Sequence, residues 1–345
     1  MAGIRAKIAM VAVAATMATR TEAFLAPHGL SPMLAKSTAS FKSVRPALRE
    51  SRQGHVALRM GFFDAFKSAT EKLIGAEEAN LPNMAPQLTS VSTGPLTWTA
   101  GVSEIADPRH AMEDAWFAGD YDYGVFDGVT GAQKSEFGDL YSYQLSGTTY
   151  GILQRQREQK KAVDPLVALD GAYSALNDAL TVGSSTACVV SVDTKSEPGY
   201  TILKGANVGD SGIKVVRKGQ DGQMKVVYQT VPQMHYFNCP FQLGGNSPDT
   251  VDLATRIRVP LASGDIVIIA SDGLYDNVYD SQIIDLLEAT EGQGPNAMAQ
   301  ALVGYARQVQ EDPQVVVPYG LEAQAAGKSW TGGKLDDTAA IVLQF

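Results

Sequence analysis

Four times in this chain a β-rich apolar run stops at an acidic residue that stands beside a glycine or a second acid. The stretches are Arg109-His110-Ala111-Met112-Glu113-Asp114, Gly124-Val125-Phe126-Asp127-Gly128, Ile268-Ile269-Ala270-Ser271-Asp272-Gly273-Leu274-Tyr275-Asp276 and Lys334-Leu335-Asp336-Asp337-Thr338. A fifth, Asn207-Val208-Gly209-Asp210-Ser211, has the same form. A carboxylate at the end of an apolar strand is half-desolvated, and several converging there repel one another unless a cation neutralises them. Hard divalent ions such as magnesium and manganese suit an all-oxygen site. Gly128 and Gly273 let the backbone come close enough to present a carbonyl. One Asp-Gly alone is ordinary turn chemistry. Five such motifs in one chain are not.

The pattern of apolar runs predicts strands at Thr97 to Val102, Asp114 to Ala118, Tyr123 to Phe126, Ala187 to Val192, Tyr200 to Val208, Ile213 to Arg217, Lys225 to Gln229, Ile266 to Ala270 and Ala339 to Phe345. Helical periodicity fits Glu136 to Gln156, Pro165 to Leu180, Asp280 to Thr290 and Pro295 to Gln310, with a further short helix at Phe62 to Ile74. The helices come in two pairs rather than between successive strands, which disfavours a doubly wound sheet. The expected class is α+β, a four-layer α-β-β-α sandwich of two mainly antiparallel sheets flanked by helices.

With 345 residues, 45% of them hydrophobic, the chain has ample material for a packed core. Its formal charge of -9 argues against nucleic acid as a partner, because phosphate-backbone binding needs a basic face. Two cysteines, Cys188 and Cys239, make neither a disulfide framework nor a cysteine-based zinc site.

The first 60 residues have a different character. Arg5 and Lys7 precede a short apolar run from Ile8 to Met17, and small residues follow at Thr21 to Ala23, so residues 1–23 read as a signal peptide. That run is too short for a membrane anchor, and no stable membrane insertion is expected. Residues 24–60 are basic and serine-rich with Glu50 as their lone acid, which reads as a transit peptide. The alternative is an ordinary secretory signal followed by an unstructured stretch. Residues 61–95 form an N-terminal extension or linker, and residues 96–345 the main domain. Removing residues 1–60 leaves 19 basic against 35 acidic residues, a balance of -16. Only His110 and His235 then remain, too few for a three-histidine zinc site.

In this order the acidic motifs resemble the metal-dependent protein phosphatases known as the protein phosphatase 2C family. The resemblance runs from about Leu96 to Phe345. It is closest to the organellar branch, through Gly183-Ser184-Ser185-Thr186-Ala187-Cys188, Asn207 to Gly212, His235 to Leu243 and Gly332-Gly333-Lys334-Leu335-Asp336-Asp337. The junction Ala23-Phe24-Leu25-Ala26-Pro27 resembles the bipartite plastid address of algae with complex, red-lineage plastids. The resemblance implies a phosphoserine and phosphothreonine phosphatase with two manganese or magnesium ions bridging a nucleophilic water. Asp127 would bridge both ions, and Glu113 with the carbonyl of Gly128 would complete one shell. Asp272 and Asp336 would hold the other ion, and Asp210 with Asp272 match positions of a weaker third. Arg109 matches the phosphate-gripping arginine, and Asp114 would orient water from behind the ligands. The implied partners are phosphoprotein substrates, including photosynthetic membrane proteins. The implied location is the plastid, in the stroma or on the stromal face of the thylakoid, and the expected state is a monomer.

One position departs from the family. Cytosolic members commonly place a histidine after Asp-Gly as the proposed general acid, whereas this chain has Val129. The acid is then unassigned between metal-bound water and His110, while His235 reads as a packed structural histidine. Two other readings stay open on the sequence: a catalytically weak regulatory member that binds phosphoproteins, and a calcium-stabilised structural protein. The stretch from Asp312 to Lys334 reads as a loop.

Overall fold

The computed structural model describes residues 95–129, 140–179, 181–245 and 247–345. The leader, the extension and its helix at Phe62 to Ile74 lie outside the described residues. Strand β1 (Thr99–Ile105) comes first, followed by the paired β2 (Ala115–Ala118) and β3 (Asp122–Phe126). Helices α1 (Tyr141–Glu158) and α2 (Pro165–Asp178) come next, then the short β4 (Ser184–Ser185). Four longer strands follow: β5 (Ala187–Asp193), β6 (Thr201–Val208), β7 (Gly212–Lys218) and β8 (Met224–Gln229). Three very short ones, β9 (Met234–Tyr236), β10 (Cys239–Pro240) and β11 (Leu243–Gly244), precede β12 (Thr255–Leu261) and β13 (Ile266–Ala270). Helices α3 (Asp272–Tyr275), α4 (Asp280–Ala289), α5 (Pro295–Gln310) and α6 (Pro318–Ala325) lead to the last strand, β14 (Thr338–Gln344).

Two five-stranded antiparallel sheets result, ordered β1-β14-β13-β7-β8 and β12-β6-β5-β3-β2. Side-chain alternation explains why their strands read as continuous apolar runs. Val267 and Ile269 of β13 enter the core between the sheets with Val190, Leu203 and Ile341. Their neighbours Ile266, Ile268 and Ala270 point the other way and pack with Ile283, Leu286, Met298 and Leu302 of α4 and α5. The second sheet does the same, sending Cys188 and Val190 inward and Ala187 and Val189 toward Leu145, Leu153 and Leu169 of α1 and α2. A sheet buried on both faces needs apolar side chains at every position. The four layers are therefore helix, sheet, sheet, helix, as the sequence predicts.

Besides the very short β4, β9, β10, β11 and α3, which the sequence reading does not draw, two longer elements depart from it. Strand β12 lies at a sheet edge, where Pro260 removes no ladder bond that the sheet needs. Its alternation of buried Ile257, Val259 and Leu261 with Arg256 and Arg258 is regular, but the proline hides it as a strand. The stretch read as a loop from Asp312 to Lys334 contains α6, which begins at Pro318 and buries Tyr319.

Candidate metal centre

Antiparallel pairing brings the acidic motifs to one end of the sandwich. Ala270 at the end of β13 lies opposite Gly212 at the start of β7 and Ala340 near the start of β14. In the other sheet Phe126 at the end of β3 lies opposite Ala115, and Val208 at the end of β6 opposite Ala187. Each motif extends past one of these ends. Glu113 and Asp114 precede β2, Asp127 and Gly128 follow β3, and Asp210 sits in the turn from β6 to β7. Asp272 opens α3 immediately after β13, and Asp336 and Asp337 precede β14.

One ligand atom each of Asp127, Asp210 and Asp272 lies within 4.8 Å of the others. Asp210 and Asp272 are buried, and Oδ1 of each has no hydrogen-bond partner, nor does Oδ2 of the buried Asp114. Buried carboxylate oxygens without a partner are costly, and those of Asp210 and Asp272, converging with Asp127, make a donor set that could hold a hard cation. Burial, and after it the negative charge of neighbouring aspartates, pushes the Asp127 carboxyl well above the usual range. Asp210 is driven the same way for the same reasons, and Asp114 likewise by burial, against a hydrogen bond with Ser271. Asp336 is pushed up to about 7, by burial first and then by Asp272.

Close backbone packing fixes the frame. A Cβ on Gly128 would come within 2.5 Å of the Glu113 carbonyl oxygen, and one on Gly273 would overlap the Asp337 carbonyl oxygen. Neither site accepts a side chain. Asp337, given no role by its sequence, is buried and accepts the backbone N–H groups of Asp107 and Glu113, both at 2.6 Å. It thereby ties the end of β1 and the start of β2 to β14. The amide of Gln310 donates to the Gly273 carbonyl at 3.0 Å and to Thr338 at 2.9 Å, anchoring α5 under the same corner.

Arg109 lies in the connection from β1 to β2 with a side chain 62% exposed. Its Nε donates to Asp107 at 2.9 and 3.0 Å, Nη2 also pairs with Asp107, and Nη2 donates to the Leu335 carbonyl at 2.9 Å. Asp107 itself is 1% exposed and carries no acidic-motif signature, so sequence reasoning passes over it. His110 Nε2 is 3.6 Å from Asp107, and Nδ1 is 2.9 Å from the Ala111 carbonyl. That carbonyl contact, and the surrounding carboxylates after it, raise the imidazole pKa against the opposing effect of burial. His235 lies 3.0 Å from Asp249 and 4.4 Å between centroids from Phe241, a structural contact as the sequence suggests, but at the surface, its side chain 37% exposed, and not packed in the interior.

Lys334 is the third residue, after Asp337 and Asp107, to which the motif reading gives no role. Its ammonium lies among Asp272, Asp276 and Asp336. Burial alone would lift the Asp272 carboxyl, but the Lys334 charge and several hydrogen bonds outweigh it and hold Asp272 below the usual range. Asp336 stands outside the three-aspartate group, with Oδ2 3.1 Å from the Lys334 nitrogen.

Known proteins resemble this chain in sequence and in fold. No family model matches the chain. Among curated proteins it is 36% identical over 265 residues to the rice "Probable protein phosphatase 2C 1", spanning 71% of this chain and 75% of that one. It is 35% identical over 237 residues to the human "Protein phosphatase PTC7 homolog", spanning 64% of this chain and 73% of the relative. Among solved structures it resembles that of "the photosystem II phosphatase PBCP", with a TM-score of 0.60 and 31% identity over 72% of this chain and 99% of that one.

Proposed function

The chain belongs to the protein phosphatase 2C family and is a metal-dependent protein serine/threonine phosphatase, and we propose that it works through two manganese or magnesium ions held by the carboxylates at the end of the sandwich. The observation that carries this reading is the convergence of Asp127, Asp210 and Asp272, with partnerless buried oxygens on two of them. Asp127, Glu113 and the Gly128 carbonyl would serve one ion, Asp272 and Asp336 the other, and Asp210 a weaker third. Bound divalent ions supply a nucleophile at neutral pH and neutralise charge on the phosphoryl group.

The protein's own side chains do the rest. Arg109 binds phosphoryl oxygens, and Asp107 behind it fixes the plane of the guanidinium, which a bidentate fork needs. Asp114, buried against Ser271, orients the ligands in front of it. His110, held between Asp107 and its own neighbour's carbonyl, can keep a proton near neutral pH and pass it to the departing serine or threonine oxygen. Val129 cannot do so; its backbone N–H is spent on the Ser184 carbonyl at 3.1 Å.

For the substrate we infer phosphorylated photosynthetic membrane proteins, and for the location the plastid. The leader in residues 1–60 and the 31% identity to a photosystem II phosphatase support both. The same reading makes residues 1–23 and 24–60 successive targeting segments, 61–95 an extension and 96–345 the phosphatase domain. Among the described residues no helix is long and apolar enough to cross a membrane. The test is hydrolysis of p-nitrophenyl phosphate and of a phosphothreonine peptide by the purified chain, with manganese and with excess chelator. Equal rates in the two conditions would remove the metal-ion reading.

A further inference from the structure

A lysine occupies part of a centre that otherwise consists of carboxylates. The Lys334 ammonium is 2.5 Å from Asp272 Oδ2, 2.6 Å from Asp276 Oδ2 and 3.1 Å from Asp336 Oδ2. An ammonium has three hydrogens to donate, and three carboxylates surround it. The side chain is only 14% exposed, and its nitrogen lies 5.1 Å from the centroid of the Tyr319 ring. Both ends of the residue are fixed as well. The Lys334 backbone N–H donates to Asn277 Oδ1 at 2.8 Å, and its carbonyl accepts from Asn277 Nδ2 at 3.0 Å. The same Asn277 amide reaches the Gly273 carbonyl, so the lysine is registered against the turn that carries Asp272.

This arrangement divides Asp272. Oδ2 faces the lysine, while Oδ1 has no hydrogen-bond partner and the carboxylate as a whole stands in the group with Asp127 and Asp210. A long, mobile surface lysine would gain little from such contacts, but a buried, pre-placed one neutralises charge as an inorganic cation would.

We propose that Lys334 is a built-in cation that takes the place of the weaker third divalent ion on the Asp272–Asp276 side of the centre, so that this chain holds two ions where its carboxylates could hold three. The inference rests on the reading of the cluster as a divalent-metal site. It assigns Lys334 and Asp276 a joint role in setting how many ions bind, and through that the metal concentration at which the folded centre is complete.

The experiment counts manganese bound per full-length chain by equilibrium dialysis, alongside thermal melting in chelator and in manganese. Lys334→Met keeps the volume and removes the charge. It should bind one more manganese ion than wild type, and its melting temperature in chelator should fall by about 5–10 °C, recovering in manganese. Lys334→Arg should keep the wild-type count, and the double variant Lys334→Met, Asp276→Asn should lose the added ion. Lys334→Gln serves as the uncharged variant should the methionine fail to fold in manganese. Wild type and a folded uncharged variant binding the same number of ions with the same affinity would overturn the proposal while leaving the metal centre standing. A wild-type chain that binds no manganese at all would overturn both.

Discussion

The buried carboxylate of Asp107 grips Arg109 from two directions, accepting its backbone N–H at 2.8 Å and its Nε at 2.9 and 3.0 Å. The arginine is thereby held in one plane although more than half of its side chain is exposed. Asp107→Asn should raise KM for a phosphothreonine peptide by about 10-fold with a smaller change in kcat, because the guanidinium remains but its plane is no longer set. Arg109→Lys should do the same, since a point charge cannot replace the fork.

The same contact has a pH signature. The Arg109 hydrogen bond, against burial, holds the Asp107 carboxyl down at about 2. A depressed carboxyl stabilises the fold above its unfolded pKa of about 4 and loses that contribution as pH falls toward 2. The gap in melting temperature between wild type and Asp107→Asn should therefore be constant from pH 8 to 5 and narrow below about 4. A gap that stays constant down to pH 3 would show that the aspartate acts through packing alone.

Much of this centre was legible from the sequence because each acid follows or precedes a strand, and strand ends announce themselves by where the apolar run stops. Asp127, Asp210 and Asp272 are found that way. Asp107 and Asp337 are not: Asp337 accepts the backbone N–H groups of Asp107 and Glu113, 230 and 224 positions away, and Asp107 acts by gripping Arg109. Lys334 lies within an acidic motif, yet nothing in a linear pattern says that a lysine two positions before Asp336 turns inward. The fold was readable for a similar reason. Strands buried on both faces are unmistakable, while β12, with arginines on one side and a proline near its end, was not, and neither was α6, a short helix amid glycines.

Asp127 separates the metal-free from the metal-loaded protein. Burial and neighbouring aspartates disfavour its charged form, so its folded pKa lies above the unfolded value. Such a group destabilises the fold once pH rises above the unfolded pKa of about 4. In chelator at pH 8, Asp127→Asn should melt higher than wild type, and in manganese the order should reverse. Activity should fall at least about 100-fold, beyond the usual cost of a residue behind the ligands. A lower melting temperature for the variant in both conditions would argue that Asp127 is a structural acceptor and not a ligand.

Two glycines give opposite signs for the same substitution. Gly273→Ala drives a Cβ into the Asp337 carbonyl oxygen, a backbone atom that cannot step aside, and should destabilise by about 1–3 kcal/mol with loss of activity. Gly147, within α1, has nothing within 4 Å of an added Cβ. Gly147→Ala should stabilise by about 0.5–1 kcal/mol through the backbone entropy of the unfolded chain and leave activity unchanged. Denaturant melts of the two variants check both signs.

Proton delivery can be assigned by exchanging two residues. His110 has a raised pKa, owing first to the Ala111 carbonyl contact, and it lies 3.6 Å from Asp107. His110→Ala should lower kcat and remove the limb of the pH profile above neutrality, where a protonated imidazole is lost. Val129→His should preserve activity and restore such a limb in the His110→Ala background. A pH profile unchanged by His110→Ala excludes that residue as the acid.

The final expectation joins the leader to the substrate. An Ala23-Phe24 junction followed by a basic stretch with one acid should deliver the enzyme to the plastid, where phosphothreonines of photosynthetic membrane proteins would be within its reach. Once residues 1–60 are gone the chain carries 19 basic against 35 acidic residues, so contact with a negatively charged membrane surface is disfavoured and the enzyme must meet its substrate through protein contacts. A fusion of residues 1–60 to a fluorescent protein should enter the plastid, and Phe24→Ala should leave it outside the inner envelopes. Cells lacking the enzyme should dephosphorylate thylakoid phosphothreonines several-fold more slowly after a change of light, and the wild-type chain but not Asp127→Asn should restore the rate. Plastid import with an unchanged rate would keep the address and discard the photosynthetic substrate, whereas a cytosolic fusion would discard the address while leaving the phosphatase itself untouched.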